Sequence, residues 1–186
     1  FQLRAMRRLD SSYALRSDEA AAFRWMRANL HHDETIVTPS RSTNLLLASL
    51  TPAYVYVPYG SSAVGSKAPD DEIIDRYLRA SAAFGYTADA AIGRLDPANG
   101  IPIPGTSLPR DEIPAYVERS MIDYLLNELV DRPATVNQRL PGWRAQYEAL
   151  KPQEGVLGRY SAEYLYCGPR ERLWPADTPA PGTSVR

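Results

Sequence analysis

The sequence lacks most of the residues from which metal, disulfide and nucleophile sites are built. Cys167 is its only cysteine, so an internal disulfide is excluded. His31 and His32 are its only histidines, and two adjacent histidines without cysteine partners favour neither a metal site nor a catalytic pair. It also has no Gly-x-Ser-x-Gly elbow and no glycine-rich dinucleotide or phosphate loop. The commonest hydrolase and nucleotide-binding signatures are therefore missing.

Strong net charge and long apolar runs are absent too. A net charge of -1 argues against a nucleic-acid partner, which normally meets a basic patch or stripe. No run approaches the roughly 18 apolar residues of a membrane-spanning helix. Because the chain starts at Phe1 and not at a methionine, we expect a soluble piece of a longer protein.

What the sequence does contain is three short apolar segments, each of which stops at a polar loop. They cover 35–38, 54–57 and 163–167, and the last is rich enough in aromatic residues to predict a buried strand. Amphipathic helical patterns lie over 19–30 and 72–84. We therefore predict a small three-layer, Rossmann-like α/β domain with a short, mostly parallel sheet of about three strands in the order 2-1-3, flanked by helices.

The remaining segments are assigned by the same periodicity and by their turn residues. We predict further helices over 44–50, 111–130 and 143–150, with a short helical lead over 154–160. Loops are predicted over 85–110, with a helical turn near 88–92, and over 134–141. One domain is expected over residues 1–174, followed by a flexible, proline-rich tail over 175–186.

Polar side chains collect in the loops after the three predicted strands. The first loop leads into a helix start, where unpaired backbone N–H groups suit an anion, although capping by Ser42 or Thr43 explains the same residues. Arginines beside such groups suit a phosphate or a sugar. Glu171 is expected to fix its own loop by pairing with an arginine or accepting backbone N–H groups. The candidate ligand-binding residues are Ser40, Arg41, Ser42, Thr43, Tyr59, Ser61, Ser62, Arg170, Glu171 and Arg172.

Two separated segments resemble a recurring arrangement in large membrane proteins. They are Glu19-Ala-Ala-Ala-Phe-Arg-Trp-Met-Arg-Ala-Asn29 and Arg159-Tyr-Ser-Ala-Glu-Tyr-Leu-Tyr-Cys-Gly-Pro-Arg-Glu-Arg172. They resemble the "Ala-x-x-Trp-Leu-Arg-x-Asn" helix and the closing "Tyr-x-x-x-Tyr-Val-Tyr-Val-Gly-x-x-Glu" segment of an extracytoplasmic domain. That domain follows the membrane helices of polytopic proteins in the C-type glycosyltransferase superfamily. Cys167 stands where a valine is usual.

The resemblance implies a membrane-anchored bacterial parent that acts on lipid-linked sugars in the cell envelope. In such enzymes the catalytic carboxylate lies between membrane helices, so the resemblance implies no catalytic residue, metal or cofactor in this chain. It implies an extracytoplasmic domain, periplasmic or on the outer face of the membrane, that assists acceptor or glycan binding or assembly. Its partners would be the membrane-embedded part of the same parent chain and a glycan or lipid-linked sugar, with no nucleic acid.

Two alternatives remain open at this point. One is a free-standing soluble α/β enzyme or a protein that binds a sugar phosphate or nucleotide sugar through the same loops. The other is a purely structural interaction domain whose loops bind no ligand.

Overall fold

The chain alternates helices with short strands, as the sequence predicts. The computed structural model describes residues 15, 17–58, 68–92, 94–95, 102–103, 133–151 and 155–173. In chain order its elements are α1 (Ser17–Asn29), β1 (Thr35–Val37), α2 (Arg41–Leu50), β2 (Tyr54–Val55), α3 (Asp70–Ala83), α4 (Ala88–Ile92), β3 (Arg94–Leu95), β4 (Pro102–Ile103), α5 (Pro133–Leu150), β5 (Tyr164–Leu165) and a 3-10 helix (Glu171–Leu173). The helix predicted over 111–130 and the tail predicted over 175–186 lie outside the described residues.

Strands β1, β2 and β5 form a parallel sheet in the order β2-β1-β5. Ile36 at its centre is in register with Val55 on one side and Tyr164 on the other. This arrangement confirms the predicted α/β fold and the strand order 2-1-3. Because all three strands run in the same direction, the loops that follow them leave the sheet at one edge.

Helices cover both faces of the sheet. Ile36 faces α1 and α2, in a cluster whose other buried members are Phe23, Met26, Leu30, Leu46, Leu47 and Ala53. Val37 faces the opposite way, toward α3, α4 and α5. The larger residues of that second cluster include Tyr56, Ile73, Tyr77, Leu78, Phe84, Tyr86, Ile92, Trp143 and Tyr147. Successive strand residues point to opposite faces, so the all-apolar β1 is the middle layer of three.

The last strand differs from the prediction. A buried strand was expected over 163–167, but β5 covers Tyr164–Leu165 alone, and both side chains are exposed. The reason is position, because among the described strands β5 pairs with β1 alone and therefore lies at the edge of the sheet. Tyr166, just after the strand, turns back to the core and packs edge-to-face on Phe23 at 5.7 Å between ring centroids.

The loop predicted over 134–141 is wrong, because α5 includes these residues. Pro133 begins the helix, where the missing N–H group of proline costs little. Pro141 lies within the helix on its exposed side. The buried positions Leu140, Trp143, Tyr147 and Leu150 keep the helical spacing past it, so packing outweighs the lost hydrogen bond.

Three smaller differences concern helix ends and turns. Helix α2 begins at Arg41 with Ser40 as its N-cap, so capping by Ser42 or Thr43 was wrong. Residues 155–160 form turns and not the predicted helical lead, and Gly155 adopts a φ of 67°, which does not fit a helix. The predicted helical turn near 88–92 is confirmed by α4, while the antiparallel pairing of β3 with β4 was not predicted. None of the described helices is both long and apolar enough to cross a membrane.

Candidate functional site

The carboxylate of Glu171 connects the loops that follow β1 and β5. Its side chain is among the most buried in the protein, with 2% of the residue exposed. The Thr38 hydroxyl donates to Glu171 Oε1 at 2.7 Å, and the Gly168 N–H donates to Oε2 at 2.9 Å. The Ser40 N–H donates in turn to Thr38 Oγ1 at 3.1 Å. Glu171 thus anchors its own loop, as expected, and also the loop after β1.

The surroundings of Glu171 disfavour its charge. Burial raises the pKa of the carboxyl above its ordinary value, because a charged carboxylate loses hydration there. The Thr43 and Thr38 hydroxyls and the backbone N–H groups of Glu171 and Gly168 oppose this pKa shift without cancelling it. The Thr43 hydroxyl contributes without the geometry of a full hydrogen bond. We call Thr38, Ser40, Thr43 and Glu171 the Glu171 cluster.

The start of α2 is closed by groups of the protein itself. The Thr43 N–H donates to the Ser40 hydroxyl at 3.2 Å, which is the N-cap bond. The Asn44 amide donates to the carbonyls of Thr38 and Ser40, both at 2.8 Å. Ser40, Thr43 and Asn44 are buried. The carboxylate of Glu171 therefore lies beside the helix start at which the sequence suggested an external anion.

Arg170 is committed to a second buried interaction. Its Nε donates to Glu19 Oε1 at 2.9 Å, and both side chains are shielded from water. This ion pair joins the final loop to the first turn of α1, next to the contact between Phe23 and Tyr166. Arg172 faces solvent and donates to the Cys167 carbonyl at 3.3 Å. Burial leaves the Arg170 guanidinium no room for a soluble ligand.

The structure therefore brings together part of the candidate set and leaves part of it undescribed. Ser40, Thr43 and Glu171 form one buried cluster, Arg170 lies next to it in sequence, and Arg172 is exposed. Arg41 and Ser42 open α2, and their side chains lie outside the described residues. Tyr59, Ser61 and Ser62 lie outside the described residues as well.

Sequence reasoning missed a second polar cluster, which is centred on Asp75. The buried carboxylate of Asp75 accepts from Arg79 Nε at 2.8 Å, from the Tyr160 hydroxyl at 3.0 Å and from Gln146 Nε2 at 3.0 Å. Arg159 approaches the same carboxylate at 3.4 Å. These five residues, the Asp75 cluster, connect α3, α5 and the turns over 155–160. Only the i,i+4 spacing of Asp75 and Arg79 could have indicated the cluster from the sequence.

Arg76 extends this cluster toward the sheet. Its guanidinium binds Glu72 at 2.8 Å, donates to the Tyr56 carbonyl at 3.2 Å and lies 4.1 Å from the centroid of the Tyr160 ring. Burial raises the pKa of Tyr56 to about 12, and burial with the hydrogen bond to Asp75 raises the pKa of Tyr160. Both phenols are therefore protonated at neutral pH and serve as hydrogen-bond donors, not as bases.

An apolar groove opens on the other side of the sheet, between α1 and β5. Its volume is about 310 Å³. Its lining is Ala22, Trp25, Met26, Leu30, Ile36, Tyr164, Leu165 and Tyr166. Trp25, Tyr164 and Leu165 form its exposed rim. We call this feature the α1–β5 groove.

The described residues include no group of three or more histidine, cysteine, aspartate or glutamate side chains suited to hold a metal ion. No protein-family model, curated protein or solved structure matches the chain.

Proposed function

We propose that this chain is a non-catalytic, extracytoplasmic domain of a membrane-embedded, glycosyltransferase-like protein, which assists acceptor or glycan binding or assembly in the cell envelope. The observation that carries the proposal is that the two segments of the resemblance pack on each other. Glu19 pairs with Arg170, and Phe23 packs on Tyr166. Two motifs far apart in sequence thus form one structural unit, as expected if both belong to the same kind of domain.

The absence of a catalytic role is supported by where Arg170 and Glu171 of the second segment lie. Arg170 and Glu171 are buried and bonded to protein groups. A general acid or base has to reach the substrate directly or through one water molecule. Side chains that fasten the final loop to β1 and α1 do not meet that requirement.

The role in assembly is supported by the α1–β5 groove. Its rim exposes Trp25, Tyr164 and Leu165 together on one side of the domain. Contiguous exposed apolar residues mark surfaces that bind proteins or membranes.

The proposal is tested on the gene and on the parent protein. The reading frame upstream of Phe1 should encode several membrane spans, and transfer from a lipid-linked sugar donor should require that upstream part. Residues 1–186 alone should neither transfer nor hydrolyse the sugar. A start codon directly before Phe1, or sugar transfer by residues 1–186 alone, would overturn the proposal.

A titration separates the two alternatives from the proposed role. The folded chain is titrated with sugar phosphates and with glycans while binding is followed by calorimetry. Saturable binding of a sugar phosphate by a chain without upstream spans would favour the free-standing binding protein. No binding of either up to millimolar concentration would favour the purely structural interaction domain.

A further inference from the structure

We propose that the α1–β5 groove is a docking site for an extended, basic peptide segment of a partner protein, which adds to the sheet as a strand beside β5. The inference goes beyond the proposed function, since strand addition requires neither a membrane nor a sugar. It depends on the outer edge of β5, on the apolar groove beside that edge and on the excess of carboxylates around the groove.

The outer edge of β5 carries backbone groups that can pair with another strand. The Tyr166 N–H donates to the Val37 carbonyl at 3.0 Å, so this peptide group faces β1. Because the peptide groups of successive strand residues point to opposite edges, those of Leu165 point away from β1. Among the described strands, β5 pairs with β1 alone. An exposed edge of this kind is a template for pairing with another chain.

The groove places an apolar pocket next to this edge. Tyr164 and Leu165 are 40% and 39% exposed, and Trp25 is 56% exposed across the groove from them. Ala22 and Met26 line the groove between these exposed groups. In strand addition the main-chain hydrogen bonds supply affinity, and pockets for alternate side chains supply specificity. The groove therefore suits the apolar side chains on one face of an added strand.

The carboxylates around the groove favour a basic partner. Asp33 and Glu34 directly precede β1, and Glu163 directly precedes β5, so three carboxylates lie where the two strands begin. Asp18 adds a fourth carboxylate in the first turn of α1. Complementary charge across an interface favours the correct partner and disfavours a partner of the same sign.

The cations near the groove are fewer than these four carboxylates. Arg24 and Arg27 are exposed on α1, and Arg172 follows β5 at its opposite end. The excess of negative charge therefore lies where β1 and β5 begin.

Two of the carboxylates are held in place by hydrogen bonds. Glu34 accepts from the Tyr164 hydroxyl at 2.9 Å, and Glu163 accepts from the Thr35 N–H at 2.6 Å. Side chains that are already fixed lose little conformational entropy when a cation binds them. Lysine or arginine side chains of an added strand would meet these carboxylates at the start of β5.

Peptide binding tests the inference on residues 1–186. The probe is a fluorescently labelled peptide of about nine residues in which lysine alternates with valine. One control peptide has glutamate in place of lysine, and the other is the lysine peptide N-methylated at every residue. We expect saturable binding of the lysine peptide, measured by fluorescence anisotropy and weakened by salt. Both controls should bind at least about tenfold more weakly.

Two proline variants test whether the edge of β5 is the site. Leu165→Pro removes an N–H that points away from β1, so β5 stays paired with β1 while peptide binding should weaken at least about tenfold. Val55→Pro is the matched control at the opposite edge of the sheet. The Tyr54 and Tyr56 N–H groups donate to the carbonyls of residues 34 and 36 at 2.8 and 2.9 Å, so the Val55 N–H also points outward. Val55→Pro should bind the peptide like the wild type.

A further variant tests the charge without changing the backbone. Glu34→Gln combined with Glu163→Gln keeps oxygen acceptors for the two hydrogen bonds and should weaken binding of the lysine peptide at least about threefold. Urea unfolding shows whether each variant is folded, and this double variant decides the outcome if a proline variant is not.

Three results would overturn the inference. They are the absence of binding by the lysine peptide, equal binding of the lysine and glutamate peptides, and equal binding by the Leu165→Pro and Val55→Pro variants. A dimer of the chain alone that excludes the peptide would assign the edge of β5 to a second copy, and it would overturn the inference as well.

Discussion

The Glu171 cluster and the Asp75 cluster both hold distant parts of the chain together, but they differ in how much water reaches them. The carboxylate of Glu171 and the neighbouring pair of Arg170 with Glu19 are fully enclosed. The Asp75 carboxylate is also buried, yet its partner Arg159 is largely exposed. The comparison teaches that a motif's charged residues can be its least accessible ones, because Arg170 and Glu171 are buried while Arg159, at the start of the same segment, belongs to the partly wet cluster.

The largest effect on stability is expected at Arg170, because its ion pair with Glu19 is the more enclosed of the interactions compared. Arg170→Ala leaves the buried carboxylate of Glu19 without its partner, and breaking a buried pair in this way costs about 3–5 kcal/mol. Urea unfolding followed by circular dichroism measures the loss. The double variant Glu19→Leu with Arg170→Met should recover much of the stability, since it removes both charges together. A loss below about 1 kcal/mol for Arg170→Ala would mean that water reaches Glu19.

Asp75 should come next, because its cluster is less enclosed. Asp75→Ala removes the shared acceptor of Arg79, Tyr160 and Gln146, and we expect a loss of about 2–3 kcal/mol. Asp71→Ala on the same helix is the control, because the Asp71 side chain is 80% exposed in its pair with Arg139. It should change the unfolding free energy by less than about 0.5 kcal/mol. If the two variants lost the same unfolding free energy, the buried Asp75 cluster would stabilise the fold no more than the exposed pair of Asp71 with Arg139.

The difference between the two clusters also shows what a sequence can and cannot predict. The strand order and the shared edge were predicted from apolar segments that end at polar loops, because the loops that follow parallel strands lie at the same edge of the sheet. The partner of Arg170 did not follow, since Glu19 is 151 positions away. Periodicity indicates which face of α1 is buried, and Glu19 lies on that face with Phe23 and Met26. It does not indicate what covers the face.

Burial at the ends of the sheet could not be predicted for a related reason. The apolar composition around Tyr164 predicts burial equally well for a central and for an edge strand, and only the tertiary arrangement places β5 at the edge. Pro141 disrupted the helical signal of α5 in the same way, although its ring faces solvent and costs the core nothing. Local rules therefore predicted the elements better than their exposure.

The pH dependence of stability should report on the Glu171 cluster, because burial raises the pKa of its carboxyl. The folded-state pKa of Glu171 is raised, so its stabilising contribution is fully present below the ordinary carboxyl value of 4.5 and is lost as pH rises through the folded pKa. Relative to Glu171→Gln, the wild type should lose up to about 1.4 kcal/mol per pH unit within that window. Denaturant unfolding of both proteins at several pH values measures the difference. A difference that is constant with pH, or that grows in favour of the wild type, would contradict a raised pKa.

The smallest effect is expected at Ser40, where the Glu171 cluster meets the start of α2. Ser40→Ala removes the hydroxyl that accepts from the Thr43 N–H, and loss of an N-cap costs about 1 kcal/mol. Ser49→Ala in the same helix is the matched control, since the Ser49 hydroxyl is exposed and donates to the Leu45 carbonyl one turn earlier. Its unfolding free energy should stay within about 0.5 kcal/mol of the wild type. Because Ser40 also donates its N–H to Thr38, which alanine preserves, the link to Glu171 should survive, and the pH dependence of Ser40→Ala should match that of the wild type. A changed pH dependence would mean that the cap and the buried carboxylate act as one unit.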